Sequence, residues 1–589
     1  MSTAGNATTT MEGGEVVKKI ENFDDILPHV GGAGCYQWIL FFLLLPFAFV
    51  YAFLYFAQFF ITLTPEEHWC TVPELNGWNL TDEQKIALSI PISDATGYKS
   101  ADDNSLSYSR CEMYDVNFTE SLINGNYDPD PSWPKTPCRH GWTFNHSDIP
   151  YVSIAAEIFQ FQLEWVCGKS YYSSLSQSIF YIGSIIGGFV FSFIADNYGR
   201  LPALVACNAV GFFSSIGTAF SDSFWSFCLC RFIAGTAFDN CFNIIFIILI
   251  EYVGPQHRTF MANMSFGIYF SGSASLLPWL AYYIADWRIL CGVTAVPMIS
   301  AFFAPWIVPE SARWYISSGN IPKAVETLKN IAKVNGKTVE KEIFVEFEES
   351  CNKMIKNEKL HNYTVLDLFK KIRLAYITVM LNIYWLIILI VYDGHVWNMK
   401  SLDPDVFTSF SLGALTEFPA AIFLTLYLDK WGRRWMSFIS MMICGVFSFI
   451  TLAMPPGAAT VTMGIIARFG VNIAGNIGFQ YAAEMLPTVV RAQGVSLIHT
   501  LGYIAHIIGP YVVYLSDVSP SLPLTVLGLL SVTVAIQSLF MPETLGQDLP
   551  QTLQDGNDFG REQSFWWIPC ISSSHEKKEK FRKPVTSAQ

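Results

Sequence analysis

The sequence reads Ala-Asp-Asn-Tyr-Gly-Arg at positions 195–200, a polar turn that separates two long apolar runs. A second turn at positions 428–434 reads Leu-Asp-Lys-Trp-Gly-Arg-Arg and keeps the Asp, Gly and Arg in the same order. The two Asp residues stand 233 positions apart (429 − 196), and the following Arg residues are separated by the same interval (433 − 200). A constant interval between matching loops indicates that the chain contains an internal duplication.

Further residues repeat at this interval. They are Glu251 with Glu484, Arg258 with Arg491, Pro309 with Pro542, and Glu310 with Glu543. Because these residues stand in loops and at the ends of apolar runs, the repeat extends over a whole half of the chain. In membrane transporters, repeats of this size commonly frame a binding site between the two halves.

The composition indicates a helical membrane protein. The 589 residues are 51% hydrophobic and only 14% charged, whereas about 25% of an average soluble domain is charged. Apolar runs of about 20 residues, the length that crosses a bilayer, recur along the chain. We predict an all-α membrane protein with twelve transmembrane helices in two six-helix repeats. The predicted spans are 39–63, 171–194, 202–221, 225–250, 260–284, 288–308, 374–397, 405–428, 435–454, 458–482, 493–515 and 522–541.

These spans divide the chain into five parts. They are an N-terminal tail (1–38), a first half (39–308) with a long loop (64–170), a linker with short amphipathic helices (309–373), a second half (374–541) and a C-terminal tail (542–589). Residues 1–28 are polar and the first apolar run is long enough to stay in the membrane, so we expect no cleaved signal peptide.

The loop 64–170 has the features of an extracellular segment. It holds sixteen Asp or Glu against six Lys or Arg, so the formal net charge of −13 comes largely from this loop and gives little argument for a cationic partner. We expect no nucleic-acid partner. Its glycosylation acceptors are Asn79, Asn117 and Asn145. Its cysteines are Cys70, Cys111, Cys138 and Cys167. We expect two disulfides, and the sequence leaves all three pairings open. Asn362 also matches the acceptor pattern but lies in the linker, so chance matches are the alternative for the loop.

Basic residues set the expected orientation. The segment 309–373 contains twelve Lys or Arg, and the short loops of both halves are also basic. Because basic loops remain on the cytosolic side, we expect both termini in the cytosol, the loop 64–170 outside, and the protein in the plasma membrane.

Several motifs resemble a known family. The segment 187–200, with its Gly-Gly pair, Asp, Gly and Arg, resembles the loop motif of the major facilitator superfamily. Glu-Trp-Val-Cys at 164–167, Pro-Glu-Ser-Ala-Arg-Trp at 309–314 and Tyr-Ala-Ala-Glu-Met-Leu-Pro-Thr-Val-Val-Arg at 481–491 resemble the organic cation, anion and zwitterion transporter family within it. Asn197 departs from the loop motif, which often has Arg there. The resemblance implies alternating access, in which the two halves rock around a central site.

The repeated loops are candidate gates. An Asp at a helix end can cap a neighbouring helix, and an Arg can pair with a Glu at the end of another span. The candidates are Asp196, Arg200, Glu251 and Arg258 in the first half, and Asp429, Arg433, Glu484 and Arg491 in the second. The alternative is that these pairs only orient the helices during insertion.

Acidic residues inside spans are candidate substrate ligands, because a charge in the bilayer is costly. The three acids are Asp239, Asp393 and Glu417. No Lys occupies the centre of a predicted span, so the acids favour a substrate with an ammonium group. Further candidates are Tyr392, Tyr503 and His499. His499 and His506 are seven positions apart and thus share a helix face; they either meet a substrate group or form structural hydrogen bonds.

The resemblance also bears on the substrate. In the eleventh span, cation members of the family often carry Asp, and anion and carnitine members carry Arg; this chain has Tyr503 at that position. In the fourth span, cation members often carry Lys, whereas this chain has Asp239. We predict a carrier for a small organic cation or zwitterionic amine, such as a carnitine-like compound, a β-amino acid or a biogenic amine. An organic anion carrier, or a receptor that uses its outer loop, is the alternative. We expect no enzymatic activity, cofactor or metal, and a co-transported ion is left open.

Overall fold

The computed structural model describes residues 11–12, 15–16, 23–63, 68–92, 108–123, 125, 128–144, 165–358, 364–401, 405–455, 457–545, 547, 549–561 and 563. The predicted acceptor Asn145, the linker residue Asn362, the motif residue Glu164 and parts of both tails lie outside this set.

Helix occupies each of the twelve predicted spans. We label these helices α1 Cys35–Ile61, α2 Cys167–Asn197, α3 Arg200–Ala219, α4 Phe224–Tyr252, α5 255–284, α6 Trp287–Ile307, α7 Ile372–Trp397, α8 Val406–Trp431, α9 Arg433–Ala453, α10 Ala458–Met485, α11 Gln493–Tyr514 and α12 Leu522–Ser538. Ten of the twelve, within the described ranges, are long and apolar enough to cross a membrane. The exceptions are α12, which has 17 residues, and α5.

Helix α5 is interrupted by a turn of π-helix. Its pieces are Pro255–Met264, the π turn Ser265–Phe270, and Ser271–Ile284. Serines make it less apolar than its neighbours, and they are used in packing: the Ser271 hydroxyl donates to the Ala414 carbonyl of α8 at 2.9 Å. A π turn inside an α-helix is frequently found at a functional site.

Short elements surround the long helices. The helices are Phe23–Val30, Asp82–Ser89, Phe118–Ile123, Ala312–Ser317, Ile321–Val334, Lys341–Glu358 and Leu553–Asp558. The 3-10 turns lying outside the long helices are Pro73–Gly77, Val365–Phe369, Asn398–Ser401 and Leu515–Asp517. The strands are β1 Met11–Glu12, β2 Glu15–Val16, β3 His68–Cys70, β4 Glu112–Tyr114, β5 Lys135–Pro137 and β6 Trp142–Phe144. They form three antiparallel pairs, β1 with β2, β3 with β6, and β4 with β5.

The described part of the loop 64–170 has its own small core. Leu75, Met113 and Phe118 are among the side chains buried in it. Of the three pairings that the sequence leaves open, the structure has Cys70–Cys138 and Cys111–Cys167. The acceptor side chains of Asn79 and Asn117 are exposed.

Helix α1 lies in the interior of the bundle. The sequence leaves open whether its aromatic residues line a cavity or face lipid. In the structure most of them are buried, including Tyr55, Phe56 and Phe60, and Phe56 and Phe60 both contact Phe410 of α8 in the second half. The aromatic residues of α1 therefore bring the two halves together.

The halves are joined at the end of the bundle that carries the loop 64–170, which we call the loop side; the opposite end, with the linker 309–373, is the linker side. Between α2 and α11, Ser174 donates to the Pro510 carbonyl at 3.3 Å and Ser178 to the Ile507 carbonyl at 3.0 Å. Between α5 and α8, Ser411 donates to the Ser275 carbonyl at 3.1 Å. The linker-side part of the α2–α11 interface instead borders a cavity.

Candidate functional site

A cavity of about 360 Å³ lies between α2 and α4 of the first half and α11 of the second. Asp196 and Arg200 line it at the linker side, and Asp239, His499 and Tyr503 line its deeper part. The cavity thus runs from a predicted gate to predicted substrate ligands. Its walls come from both halves.

Asp239 interrupts helix α4, at the junction of Phe224–Phe238 and Asn240–Tyr252. Its side chain is half-buried and accepts a hydrogen bond from the Tyr503 hydroxyl of α11, so this bond joins the two halves. Among the described residues Asp239 forms no ion pair with Lys or Arg. It is an acidic group that faces the cavity and is hydrogen-bonded, yet it lacks a bonded cation.

Asp393 of α7 is fully buried. His506 Nδ1 lies 2.5 Å from one carboxylate oxygen, and the Tyr55 hydroxyl of α1 donates to the other. Gly509 sits against this carboxylate, since a Cβ at Gly509 would lie 2.9 Å from the Asp393 Cβ. Asp393 is therefore enclosed by residues of both halves and does not line the cavity.

Glu417 of α8 has a basic neighbour. The Tyr392 hydroxyl donates to Glu417 at 3.0 Å, and the Arg468 guanidinium of α10 lies 5.0 Å from the centre of the Tyr392 ring. Arg468 also interacts electrostatically with Glu417 and donates to the Gly413 carbonyl at 3.1 Å. The negative charge of Glu417 is thus partly balanced inside the second half.

The three predicted acids converge on one residue of α1, because Tyr51 interacts electrostatically with Asp239, Asp393 and Glu417. The Tyr51 ring stacks on Phe238 with their centres 4.9 Å apart. The structure therefore brings the acids to one region between the halves, each with a different set of partners.

The two histidines of α11 have separate surroundings. His499, which lines the cavity, stacks on Phe479 at 4.7 Å and meets the edge of Trp385 at 5.1 Å. His506 stacks on Tyr181 of α2 at 4.9 Å and contacts Asp393. The sequence leaves open whether the two histidines meet a substrate group or form structural hydrogen bonds. Among the described residues, His499 lines the cavity, whereas His506 bonds Asp393.

The first predicted gate is a compact network at the linker side. Arg200 pairs with Asp196 at 2.6 Å, and the Glu310 carboxylate accepts the backbone N–H groups of Arg200 and Leu201 at 3.0 Å each. Glu251 accepts a hydrogen bond from the Ser311 hydroxyl and interacts with Arg200 only through its charge.

The second network repeats this arrangement with one added bond. Arg433 pairs with Asp429 and with Glu484, each at 2.9 Å. The Glu543 carboxylate accepts the backbone N–H groups of Arg433 and Arg434 at 2.8 and 3.0 Å. Thr544 donates to Glu484, as Ser311 does to Glu251.

Glu310 and Glu543, rather than the Asp residues, cap the N-termini of α3 and α9. The two caps explain the glycines of the repeated turns: Gly199 and Gly432 have φ angles of 114° and 82°, and a Cβ on either would lie 2.4 Å from a cap carboxylate oxygen. Only glycine allows this approach. Both Glu residues belong to the repeat visible in the sequence, but their capping role was not predicted.

The remaining predicted gate residues bond to nearby backbone. Arg258 donates to the Val253 carbonyl at 3.0 Å, and Arg491 donates to the Leu486 carbonyl at 3.1 Å. Arg258 also pairs with Asp24 of the N-terminal tail at 2.5 Å, a contact that no sequence pattern indicates.

Asp24 is the centre of a small ion cluster outside the spans, since Arg313 of the linker also pairs with it. Burial raises the pKa of Asp24, but the hydrogen bond from Arg258 and the charge of Arg313 outweigh it and hold the pKa below the usual 3.8. The carboxylate is therefore charged at neutral pH, and the cluster fastens the helix Phe23–Val30 to the first half and the linker.

Known proteins resemble this chain over most of its length. The family described as "Sugar (and other) transporter" matches residues 116–554. The carcinine transporter of Drosophila melanogaster is 32% identical, over 92% of this chain and 80% of that protein. The beta-alanine transporter of the same species is 30% identical, over 94% of this chain and 92% of that protein.

A solved structure shows the same fold. The xylose transporter XylE from E. coli, in an inward open conformation, superposes with a TM-score of 0.52 and 16% identity, over 69% of this chain and 90% of that one. The major facilitator fold predicted from the sequence is confirmed. The chain is thus a multi-pass membrane protein that belongs to the sugar (and other) transporter family, among its organic cation, anion and zwitterion transporters.

Proposed function

We propose that the protein is a plasma-membrane carrier of small organic cations or zwitterionic amines, and that the Asp239 carboxylate binds the amine. The observation that carries the proposal is the position of Asp239, which faces the cavity and forms no ion pair with a described Lys or Arg. The other two acids are less suited, because Glu417 is partly balanced by Arg468 and Asp393 is fully buried.

The surroundings of Asp239 fit an ammonium group. Two opposite charges 4 Å apart attract by about 4 kcal/mol near a protein surface, with an effective dielectric constant of about 20. Tyr503 and His499 add aromatic groups at the cavity wall, and an aromatic face near a cation contributes about 0.5–2 kcal/mol. Together these groups form a site for a small cation rather than for an anion.

The relatives support the same class of substrate. Two of them are named as carcinine and beta-alanine transporters, and an organic cation transporter of Caenorhabditis elegans is 30% identical over 92% of this chain. No observation on the described residues favours the alternatives, an organic anion carrier or a receptor.

Alternating access accounts for the uneven contacts between the halves. The halves are joined at the loop side, while the cavity reaches Asp196 and Arg200 at the linker side. In this conformation the two predicted gates bond only within their own half or to the adjoining linker and tails, among the described residues. We infer that the linker side is the open side here and that the loop side opens in the other half of the cycle.

The test is tracer uptake by cells that express the protein. Tritiated carcinine and β-alanine are compared with labelled benzoate, an organic anion, at matched concentration, with and without sodium. We expect uptake of the amine-bearing compounds above that of untransfected cells. Uptake of benzoate alone would contradict the proposed substrate class, and the sodium comparison tests sodium coupling.

The orientation has its own test, since the predicted outer loop carries the acceptors Asn79, Asn117 and Asn145. Glycosidase should increase the gel mobility of the protein from cell surfaces, and a variant with all three Asn replaced by Gln should show no such change. A wild-type protein that does not respond would contradict an extracellular loop and, with it, cytosolic termini.

A further inference from the structure

His506 contacts one carboxylate and interacts electrostatically with a second. Its Nδ1 is 2.5 Å from Asp393, and its charge also acts on Asp239. His506 and Tyr503, which bonds Asp239, are three positions apart on α11, so their Cβ atoms are about 5–6 Å apart on one helix face. A cation held by Asp239 would therefore sit close to the imidazole.

The groups around the pair are almost all uncharged or acidic. Those facing His506 and Asp393 are Tyr51 and Tyr55 of α1, Tyr181 of α2, Asp239 of α4, Tyr392 of α7, and Tyr503 of α11. Beyond them, Glu417 of α8 is balanced by Arg468 of α10. Within the described residues, His506 is thus a group that can acquire a positive charge and whose charge acts on Asp239. His499, four positions before Tyr503 on α11, is the other histidine of this region and lines the cavity with Asp239.

The contact requires a proton on the line between Nδ1 and the carboxylate oxygen, because two lone pairs would repel at 2.5 Å. A second proton can bind at Nε2, which changes the net charge of the pair from −1 to zero. The imidazole side chain keeps 11% of its surface exposed, whereas the Asp393 side chain has none. The imidazole is therefore the member of the pair that water can reach.

We propose that the His506–Asp393 pair is a proton-binding site through which the carrier exchanges one proton for one amine. This inference rests on the proposed function of Asp239. An ammonium group at Asp239 and the second proton on His506 repel each other, so binding of the amine releases that proton from Nε2 to water. In the empty carrier the proton returns and offsets the negative charge of the two carboxylates.

The site is placed where the halves meet. Tyr55 of the first half bonds Asp393, and Tyr503 of the second half bonds Asp239. Both bonds lie across the interface that must rearrange when the loop side opens. A carrier with neither proton nor amine holds uncompensated carboxylates in this interface. Their negative charges oppose closure of the halves around an empty site, so the carrier changes conformation only with a proton or an amine bound.

The experiment uses the purified full-length protein in liposomes, with the membrane potential held at zero. The probe is tritiated β-alanine, a zwitterion that crosses lipid poorly, and protein-free liposomes give the background. An interior more acidic than the outside by one pH unit should raise accumulation by up to about tenfold, the limit for one-for-one exchange. A trapped pH dye should report that the interior becomes more alkaline as β-alanine enters.

His506→Gln should abolish the response to the pH gradient while keeping β-alanine-for-β-alanine exchange, which shows that the variant is folded. His395→Gln is the matched control: His395 is also buried in the bundle, but it contacts Ser448 at 3.2 Å and Cys444 at 3.5 Å rather than a carboxylate. It should keep the response.

Accumulation that ignores the gradient, or that is driven by an acidic exterior, would overturn the proposal, as would a full response in His506→Gln. If this variant does not fold, the dye measurement on the wild type still tests the exchange, because an interior that does not become more alkaline contradicts the proposal. Uptake that depends on Asp239 yet is independent of pH contradicts only the proton site, whereas uptake that persists in Asp239→Asn contradicts the proposed function.

Discussion

Asp239→Asn should lower the initial rate of β-alanine and carcinine uptake by roughly 30- to 150-fold, as expected from a loss of about 2–3 kcal/mol for a hydrogen bond to a charged group. Asparagine has nearly the same shape and can still accept the Tyr503 hydroxyl, so the packing between α4 and α11 is preserved. Only the negative charge that faces the cavity is removed.

The control for this substitution is Asp222→Asn. Asp222 is an exposed carboxylate at the loop side, 3.8 Å from Arg288, and it does not line the cavity. This variant should transport at the wild-type rate. Surface labelling is measured for both variants, and an Asp239→Asn protein that reaches the surface and transports normally would rule out Asp239 as the amine ligand.

The sequence predicted the architecture because the evidence for it is local or repeated. The apolar runs give the spans, and the interval of 233 residues that relates the loops also relates Glu310 to Glu543 (543 − 310) and Ser311 to Thr544 (544 − 311). The same interval thus contains the helix caps that the structure shows. The sequence does not indicate the capping role of Glu310 and Glu543, because this role depends on how close the segment after each half lies to the start of α3 or α9.

The candidate site was predicted less completely, because its character depends on pairing between distant helices. The rule that acids inside spans are functional selected Asp239, Asp393 and Glu417, but it gave them equal weight. Glu417 differs from the other two acids because Arg468 of α10 lies near its partner Tyr392. Asp393 differs because Tyr55 of α1 donates a hydrogen bond to it. Tyr55 is one of many aromatic residues in its helix, and no pattern distinguishes it in the sequence.

Arg433→Gln should destabilise the protein more than Arg200→Gln, although the two residues occupy equivalent positions of the repeat. Arg433 has 11% of its side chain exposed and pairs with both Asp429 and Glu484. Among the described residues, Arg200 pairs only with Asp196, whose side chain is 71% exposed. An exposed ion pair contributes about 0–1 kcal/mol, whereas a buried hydrogen bond between charged groups contributes about 1.5–3 kcal/mol.

The measurement is the thermal unfolding midpoint of each purified variant, together with the single variants Glu484→Gln and Glu251→Gln and the double variants Arg433→Gln/Glu484→Gln and Arg200→Gln/Glu251→Gln. The Glu484 substitution should cost little once Arg433 is gone, because the two side chains bond each other. The Glu251 substitution should cost nearly the same with or without Arg200, because Glu251 is bonded by Ser311 and interacts with Arg200 only through its charge. If the coupling energy of Arg200 with Glu251 equals that of Arg433 with Glu484, the direct Arg433–Glu484 bond does not distinguish the two networks. Charge alone would then stabilise both networks.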